Sequence, residues 1–364
     1  MNIKQIAKAA GVSVATVSRV LNHPEKVAPA TREKIQKVIE EEEYKPNWFA
    51  QGLNFDMTRT IGIIIPHILK PMYMEIAKGV EDVARQKGYV TFVCNAEKDP
   101  QTEIEYVQQL FNRRVDGVIL MFTSLEEKYI KMLEDEQIPV VIIGEHKATS
   151  LGSTVKVDCR KGAAEMTSHL IEIGHRSIAM LYGSDPEYEA RDMMQGYKNV
   201  MKASGVSVNE NLILNVQNTV DGGYIGAKKL LAQAGAFGED EQGGMPDFSA
   251  PVKTRALPDA IFATSDEIAY GAIEAIKDAG FRVPDDIAVA GFGNDRMSSL
   301  IEPKLSTVEL PFHKMGIYGA RILFDLIDEI ESEQPTKGAR HIKLQSKLKI
   351  RKSCGHNERI GEMF

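Results

Sequence analysis

Apolar positions near the start of the chain repeat with a helical period. Ile3, Ile6, Ala7 and Ala10 form one stripe, and Gly11 then supplies the stop that a tight turn needs. The stripe predicts a first helix of about eight residues. Ser13 is set to cap a second helix from Val14 to Leu21, with Val17, Val20 and Leu21 on its buried face. The i, i+4 pairs Val14/Ser18 and Ala15/Arg19 put a stripe of small side chains and one arginine on the opposite side. A third helix after Pro29 adds Ile35, Val38 and Ile39 to the same core. It ends in the run Glu40, Glu41, Glu42 and Glu43, at the negative end of the helix dipole, where cations would be preferred.

From residue 60 the pattern changes. Short β-branched runs at 61–65, 90–94, 117–121, 140–143, 178–182, 212–216, 260–263 and 287–290 alternate with amphipathic helical segments. Such alternation implies parallel sheets covered by helices on both faces, and eight or more strands imply two doubly wound subdomains. The expected fold is an N-terminal all-α helix-turn-helix domain (1–45), a hinge (46–59), a two-subdomain α/β core (60–352) and a polar tail (353–364). Segment 235–258, rich in Gly, Asp, Glu and Pro, is expected to be a mobile surface insertion of that core.

Composition sharpens the picture at one point. The 364 residues carry a net charge of −7, which alone argues against a nucleic-acid binder, yet residues 1–39 hold seven Lys/Arg against two acids. The basic excess sits where the helix-turn-helix is expected. Cys94, Cys159 and Cys354 are widely spaced, so neither a disulfide framework nor a zinc site is indicated, and a reducing cytoplasm fits best. The chain shows no signal-peptide run and no stretch of the roughly 20 apolar residues that a membrane span requires.

Two short helices across a glycine turn can lay the second helix in a DNA major groove. Arg19 can fork onto the two acceptors of a guanine edge, and Val14 or Ala15 can touch a thymine methyl. Ser13 completes the helix start, and Thr16, Ser18 and Asn22 suit phosphates. The order Ile6-Ala7-x3-Gly11-Val12-Ser13-x2-Thr16-Val17-Ser18-Arg19-Val20-Leu21-Asn22 resembles the signature of the lactose-repressor family. Where that family has a capping Ser and a Gly, this chain has Ala28 and Glu43, which predicts a weaker third helix. The segment Pro46-Asn47-x2-Ala50-x2-Leu53 is similar to the family hinge. The resemblance implies that Leu53 wedges into a minor-groove step and Ala50 makes a close helix contact, with Asn47 beside them. It also implies a type I periplasmic-binding-protein-like core, supported by the runs at 173–178, 262–271 and 283–287.

Ligand clefts of open α/β sheets lie beyond strand C-termini, which nominates Lys70, Tyr73, Phe122, Arg191, Asp266 and Asn294 as effector-binding residues. Asp266 is equally suited to capping the helix that begins at Glu267. Sugar-responsive relatives commonly have Asn at Lys70, Arg at Met193, an aromatic near Asn218 and Asp at Gly293, so the usual grip on a monosaccharide is largely missing. Three readings stay open. Lys70 and Arg191 hold an anion such as a sugar acid or sugar phosphate, other groups hold an ordinary saccharide, or a regulatory protein is the partner. The expected assembly is a homodimer on a near-palindromic double-stranded operator, the tail being too short and polar for a heptad seam. No nucleotide, hydrolase or zinc-protease motif occurs, so neither catalysis nor a cofactor or metal is expected. An exported solute-binding protein is the far weaker alternative.

Overall fold

The computed structural model describes residues 3–22, 26–42, 57–146, 152–183, 187–235, 257–332 and 338–355. By internal contacts the chain divides into Met1–Thr60 together with Arg114–Asp116, and Ile61–Arg113 together with Gly117–Phe364.

The smaller unit contains α1 (Ile3–Ala10), α2 (Val14–Asn22) and α3 (Pro29–Glu41). Its core is the predicted one: Ile6, Ala7, Ala10, Val17, Val20 and Ile35 are buried, with Leu21, Val38 and Ile39 packed against them. Gly11 makes the turn possible. At φ +62° it occupies the left-handed region, and the Val12 N–H returns to the Ala7 carbonyl at 3.0 Å. The weak points of α3 are where the sequence puts them. Its N-cap, Ala28, makes no side-chain hydrogen bond, and no basic residue stands in its last turn.

The larger unit has two lobes, each built on a six-stranded sheet. Lobe one holds β1 (Thr60–Ile65), β2 (Val90–Asn95), β3 (Gly117–Met121), β4 (Val140–Ile143), β5 (Ser153–Val157) and β11 (His341–Leu344), in the order β11-β5-β4-β3-β1-β2. Lobe two holds β6 (Ile178–Gly183), β7 (Ile213–Val216), β8 (Ala260–Ala263), β9 (Ala288–Gly293), β10 (Ser306–Glu309) and β12 (Lys347–Lys349), in the order β12-β10-β9-β8-β6-β7. Strands β3, β4 and β8 are buried on both faces, as parallel strands under two helical layers must be. Those layers are α4 (Pro71–Gln86), α5 (Pro100–Asn112), α6 (Glu127–Asp135), α7 (Cys159–Glu172), α8 (Glu187–Ala203), α9 (Val220–Gln233), α10 (Asp266–Asp278) and α11 (Phe312–Glu331). Helices α4 and α11 touch backbone to backbone: a Cβ on Gly79 would lie 2.2 Å from the His313 carbonyl oxygen.

All eight apolar runs became strands. Four strands escaped the sequence pattern: β5, β10, β11 and β12, whose short segments STVKV, STVE, HIKL and KLK mix polar and apolar residues. They are also the strands that carry the chain between lobes. It crosses at Asp158 after β5, at Leu310 and Pro311 after β10, and at Gln345 and Ser346 between β11 and β12. β12 runs antiparallel to β10, pairing Lys349 with Thr307, and so departs from the purely parallel expectation. Among the described residues no helix is long and apolar enough to cross a membrane, and no group of His, Cys, Asp and Glu could hold a metal.

Candidate functional site

In the smaller unit, burying Val17 and Val20 fixes the rotation of α2 and therefore what it presents outward. Val14 is 40% exposed, and Ala15 and Arg19 are exposed. Ser13 and Thr16 start the helix: the Ser13 hydroxyl accepts the Thr16 N–H at 3.1 Å, and the two hydroxyls bond at 2.8 Å. Ser13 is thus first a cap, its oxygen already used on the helix N-terminus. Thr16 and Ser18 are half-buried at the edge of the exposed stripe, and Asn22 is the last residue of α2. Asn47, Ala50 and Leu53 lie outside the described residues.

In the larger unit, the strand C-termini carry two non-glycine residues in the left-handed region: Phe122 (φ +47°) after β3 and Asn294 (φ +58°) after β9. Backbone strain of about 1 kcal/mol or more per residue persists only where surrounding contacts enforce it, and such positions cluster at binding sites. The Phe122 ring meets that of buried Tyr73 edge-on at 5.5 Å between centroids. The structure therefore brings together two nominated residues as an aromatic corner of lobe one.

Asp266 does not cap its helix. That role belongs to Ser265, whose hydroxyl accepts the Ile268 N–H at 3.3 Å. The Asp266 carboxylate turns inward, only 2% exposed, accepting the Thr307 hydroxyl and, at 2.8 Å, the Asp295 N–H. Burial dominates its protonation and pushes its pKa up to about 6, against the opposing effect of those donors. Asn294 is held at both ends of its amide. Its Nδ2 donates to Glu309 at 3.0 Å, and its Oδ1 accepts from Arg351 at 2.7 Å and Ser298 at 3.2 Å. Tyr270 donates to Asp295 from the same network, and its hydroxyl is pushed well above the usual tyrosine range by burial and by that bond. Asp266 and Asn294 thus hold the loop after β9 in shape.

Lys70, at the N-cap of α4, reaches from lobe one to lobe two. Its ammonium donates to the Glu267 carboxylate and, at 3.2 Å, to the Asn218 carbonyl. Glu267 thus supplies Lys70 with a counter-charge from within the chain. Arg191 is exposed on α8. Beside the crossovers a cavity of about 420 Å³ is lined by Lys156, Lys343 and Arg160, each matched to an acid: Glu145 at 2.8 Å, Asp158 at 2.7 Å and Asp192 at 2.5 Å. Sequence reasoning missed Glu267 and Thr307 as members of these networks. They stand 197 and 41 residues from their partners, and only the fold joins them.

Comparison with known proteins agrees with this geometry. Residues 2–47 match the bacterial regulatory proteins of the lacI family, and residues 167–354 match a periplasmic binding protein-like domain. Catabolite control protein A of Staphylococcus xylosus is 33% identical over 335 residues, covering 92% of this chain and 95% of that protein. The chain belongs to the lacI family. As a lacI-family member it is a DNA-binding transcription regulator with a ligand-binding core, and not an enzyme. Catabolite control protein A of Priestia megaterium is also 33% identical, over 89% of this chain and 91% of that one. Among solved structures, a complex of the transcriptional regulator CelR with cellobiose aligns with a TM-score of 0.69 at 28% identity, covering 97% of this chain and 99% of that one. The lac repressor dimer bound to operator and the anti-inducer ONPF shares the fold, with a TM-score of 0.81 at 23% identity over 97% of this chain and 99% of that chain.

Proposed function

We propose that this lacI-family regulator is a cytoplasmic repressor that binds a near-palindromic operator as a homodimer and responds to a saccharide held between its lobes. The observation that carries the DNA half is the exposed stripe of α2, with Arg19 beside Val14 and Ala15 above a closed core. Arg19 reads a guanine, Val14 and Ala15 contact thymine methyls, and Thr16, Ser18 and Asn22 meet phosphates. Asn47, Ala50 and Leu53 form the minor-groove hinge between a reader at 1–45 and a core at 60–352. A single reader binds weakly, so two-fold pairing is expected. The exposed apolar side chains Ile68, Leu69 and Met74 near the start of α4, with Val90, Phe92 and Val93 of β2, support a second copy as the cover for this face.

Within the cleft, the Tyr73–Phe122 corner offers an apolar wall to a sugar ring, and the counter-charge on Lys70 favours a neutral saccharide over a sugar acid or sugar phosphate. Two solved relatives, one in complex with cellobiose and one from Enterococcus faecium with bound ribose, support the same class. A second reading is control by a regulatory protein. It is favoured by the internal engagement of Asp266 and Asn294 and by relatives named for catabolite control. Thermal-shift measurement against cellobiose, ribose, glucuronate and glucose 6-phosphate tests the effector. A rise in Tm with neutral sugars only is expected. Stabilisation only by the anions would overturn the neutral-ligand reading, and no response to any of the four would favour the protein partner.

A further inference from the structure

Lys70 and Glu267 belong to different lobes, and where they stand in the sheets matters. Lys70 follows β1, three strands away from the crossover strand β5 and four from β11, a distance of about 14–19 Å at roughly 4.8 Å per strand. In lobe two Glu267 follows β8, two strands from the crossover strand β10, and Asn218, which shares the Lys70 ammonium, follows β7 at the sheet edge, four strands from β10. The lobes are therefore joined by three backbone crossovers on one side and by this ion pair well away from them.

Each partner is braced on a regular element. Pro71 starts α4 immediately after Lys70. Glu267 sits in the first turn of α10, where the helix dipole favours a carboxylate. Asn218 accepts the Ser265 hydroxyl at 2.6 Å, and Ser265 caps that same helix. Both charged side chains are about one-quarter to one-third exposed, so bulk water weakens the pair without removing it.

We infer that Lys70 and Glu267 form a built-in clasp: Glu267 fills the anion position beside Lys70 and holds the lobes together on the side away from the crossovers. With a lever of about 14–19 Å, a rotation of about 9–12° is enough to separate the charges by an extra 3 Å or so and release the clasp. An anionic ligand directed at Lys70 must first displace a carboxylate tethered to the protein itself. This inference deepens the reading of the cleft as the regulatory site and rests on it, but its central test uses no effector.

Spin labels on exposed Glu105 of α5 and exposed Lys229 of α9 report the interlobe distance. A Cys94→Ser background is used, since Cys159 and Cys354 are buried, and labelled chain is diluted with unlabelled chain to isolate the intramolecular distance. The wild-type chain should show one narrow distance. Lys70→Gln and Glu267→Gln should each add a longer one and lower the closed-to-open ratio about fivefold, and the double variant should be no more open than either single variant. The charge swap Lys70→Glu with Glu267→Lys should recover much of the closed population. Unchanged distances in both single variants, with Tm preserved, would overturn the clasp. A thermal-shift comparison reads the anion position directly: glucose 6-phosphate should stabilise Glu267→Gln at concentrations at least fivefold below those needed for wild type. Equal response of the two proteins would show that Glu267 does not fill that position. If the lobes open in the variants while no saccharide shifts the wild type, the clasp stands and the effector reading fails.

Discussion

Replacing Asp266 by Asn tests the account of the lobe-two network through its dependence on pH. The carboxylate is 2% exposed and its pKa rises from the ordinary 3.8 to about 6, chiefly because burial penalises the charged form. Between these values the folded chain binds more protons at this site than the unfolded chain, so the site's contribution to stability is full below about pH 4 and falls as pH rises through 6. A shift from 3.8 to about 6 corresponds to about 3 kcal/mol at most. Other carboxylates obscure this in the wild-type curve. Asp82, Asp99, Asp158 and Asp286 have depressed pKa values and lose stability on acidification, the opposite sense. Subtracting the Asp266→Asn curve removes them. Urea unfolding of the core at intervals from pH 4 to 7.5 should give a wild-type minus variant difference that falls by about 2–3 kcal/mol, nearly all of it before pH 7. The variant amide can keep its oxygen on the Asp295 N–H and turn its NH2 toward the Thr307 hydroxyl, which then accepts instead of donating; this rearrangement adds a roughly pH-independent offset of about 1 kcal/mol. A difference curve that is flat, or that rises with pH, would refute the claim that burial outweighs the two donors.

On the DNA side, Arg19→Ala should leave the fold of the smaller unit intact because the side chain is exposed. It should cost about 1–3 kcal/mol per half-site and relax preference at one base pair. Equal loss on specific and unrelated DNA in fluorescence anisotropy would remove its base-reading role. Leu53→Ala should reduce operator bending measured by phasing, and unchanged bending would rule out the wedge.

Much of the reader was legible in the sequence. Helical periodicity put Ile6, Val17, Val20 and Ile35 inside, and their burial alone rotates Arg19, Val14 and Ala15 outward. Strands β3, β4 and β8 were legible for a similar reason: burial on two faces demands unbroken apolar runs. The crossover strands were not, because half-exposed segments such as β5 and β11 carry no comparable run.

The cleft divides along the same line. The sequence could nominate Lys70, Tyr73, Phe122, Asp266 and Asn294 because local pattern fixes which residues follow a strand end. It could not say what each would meet there. Glu267 became the partner of Lys70, Thr307 of Asp266, and Arg351 of Asn294 only when separate segments closed into lobes. Periodicity is a property of neighbours along the chain, so the sequence by itself determined the helices, the main strands and the exposed stripe of α2. Charge matching in a cleft is a property of neighbours in space. For that reason only the tertiary structure decided that Lys70 meets a carboxylate of its own chain.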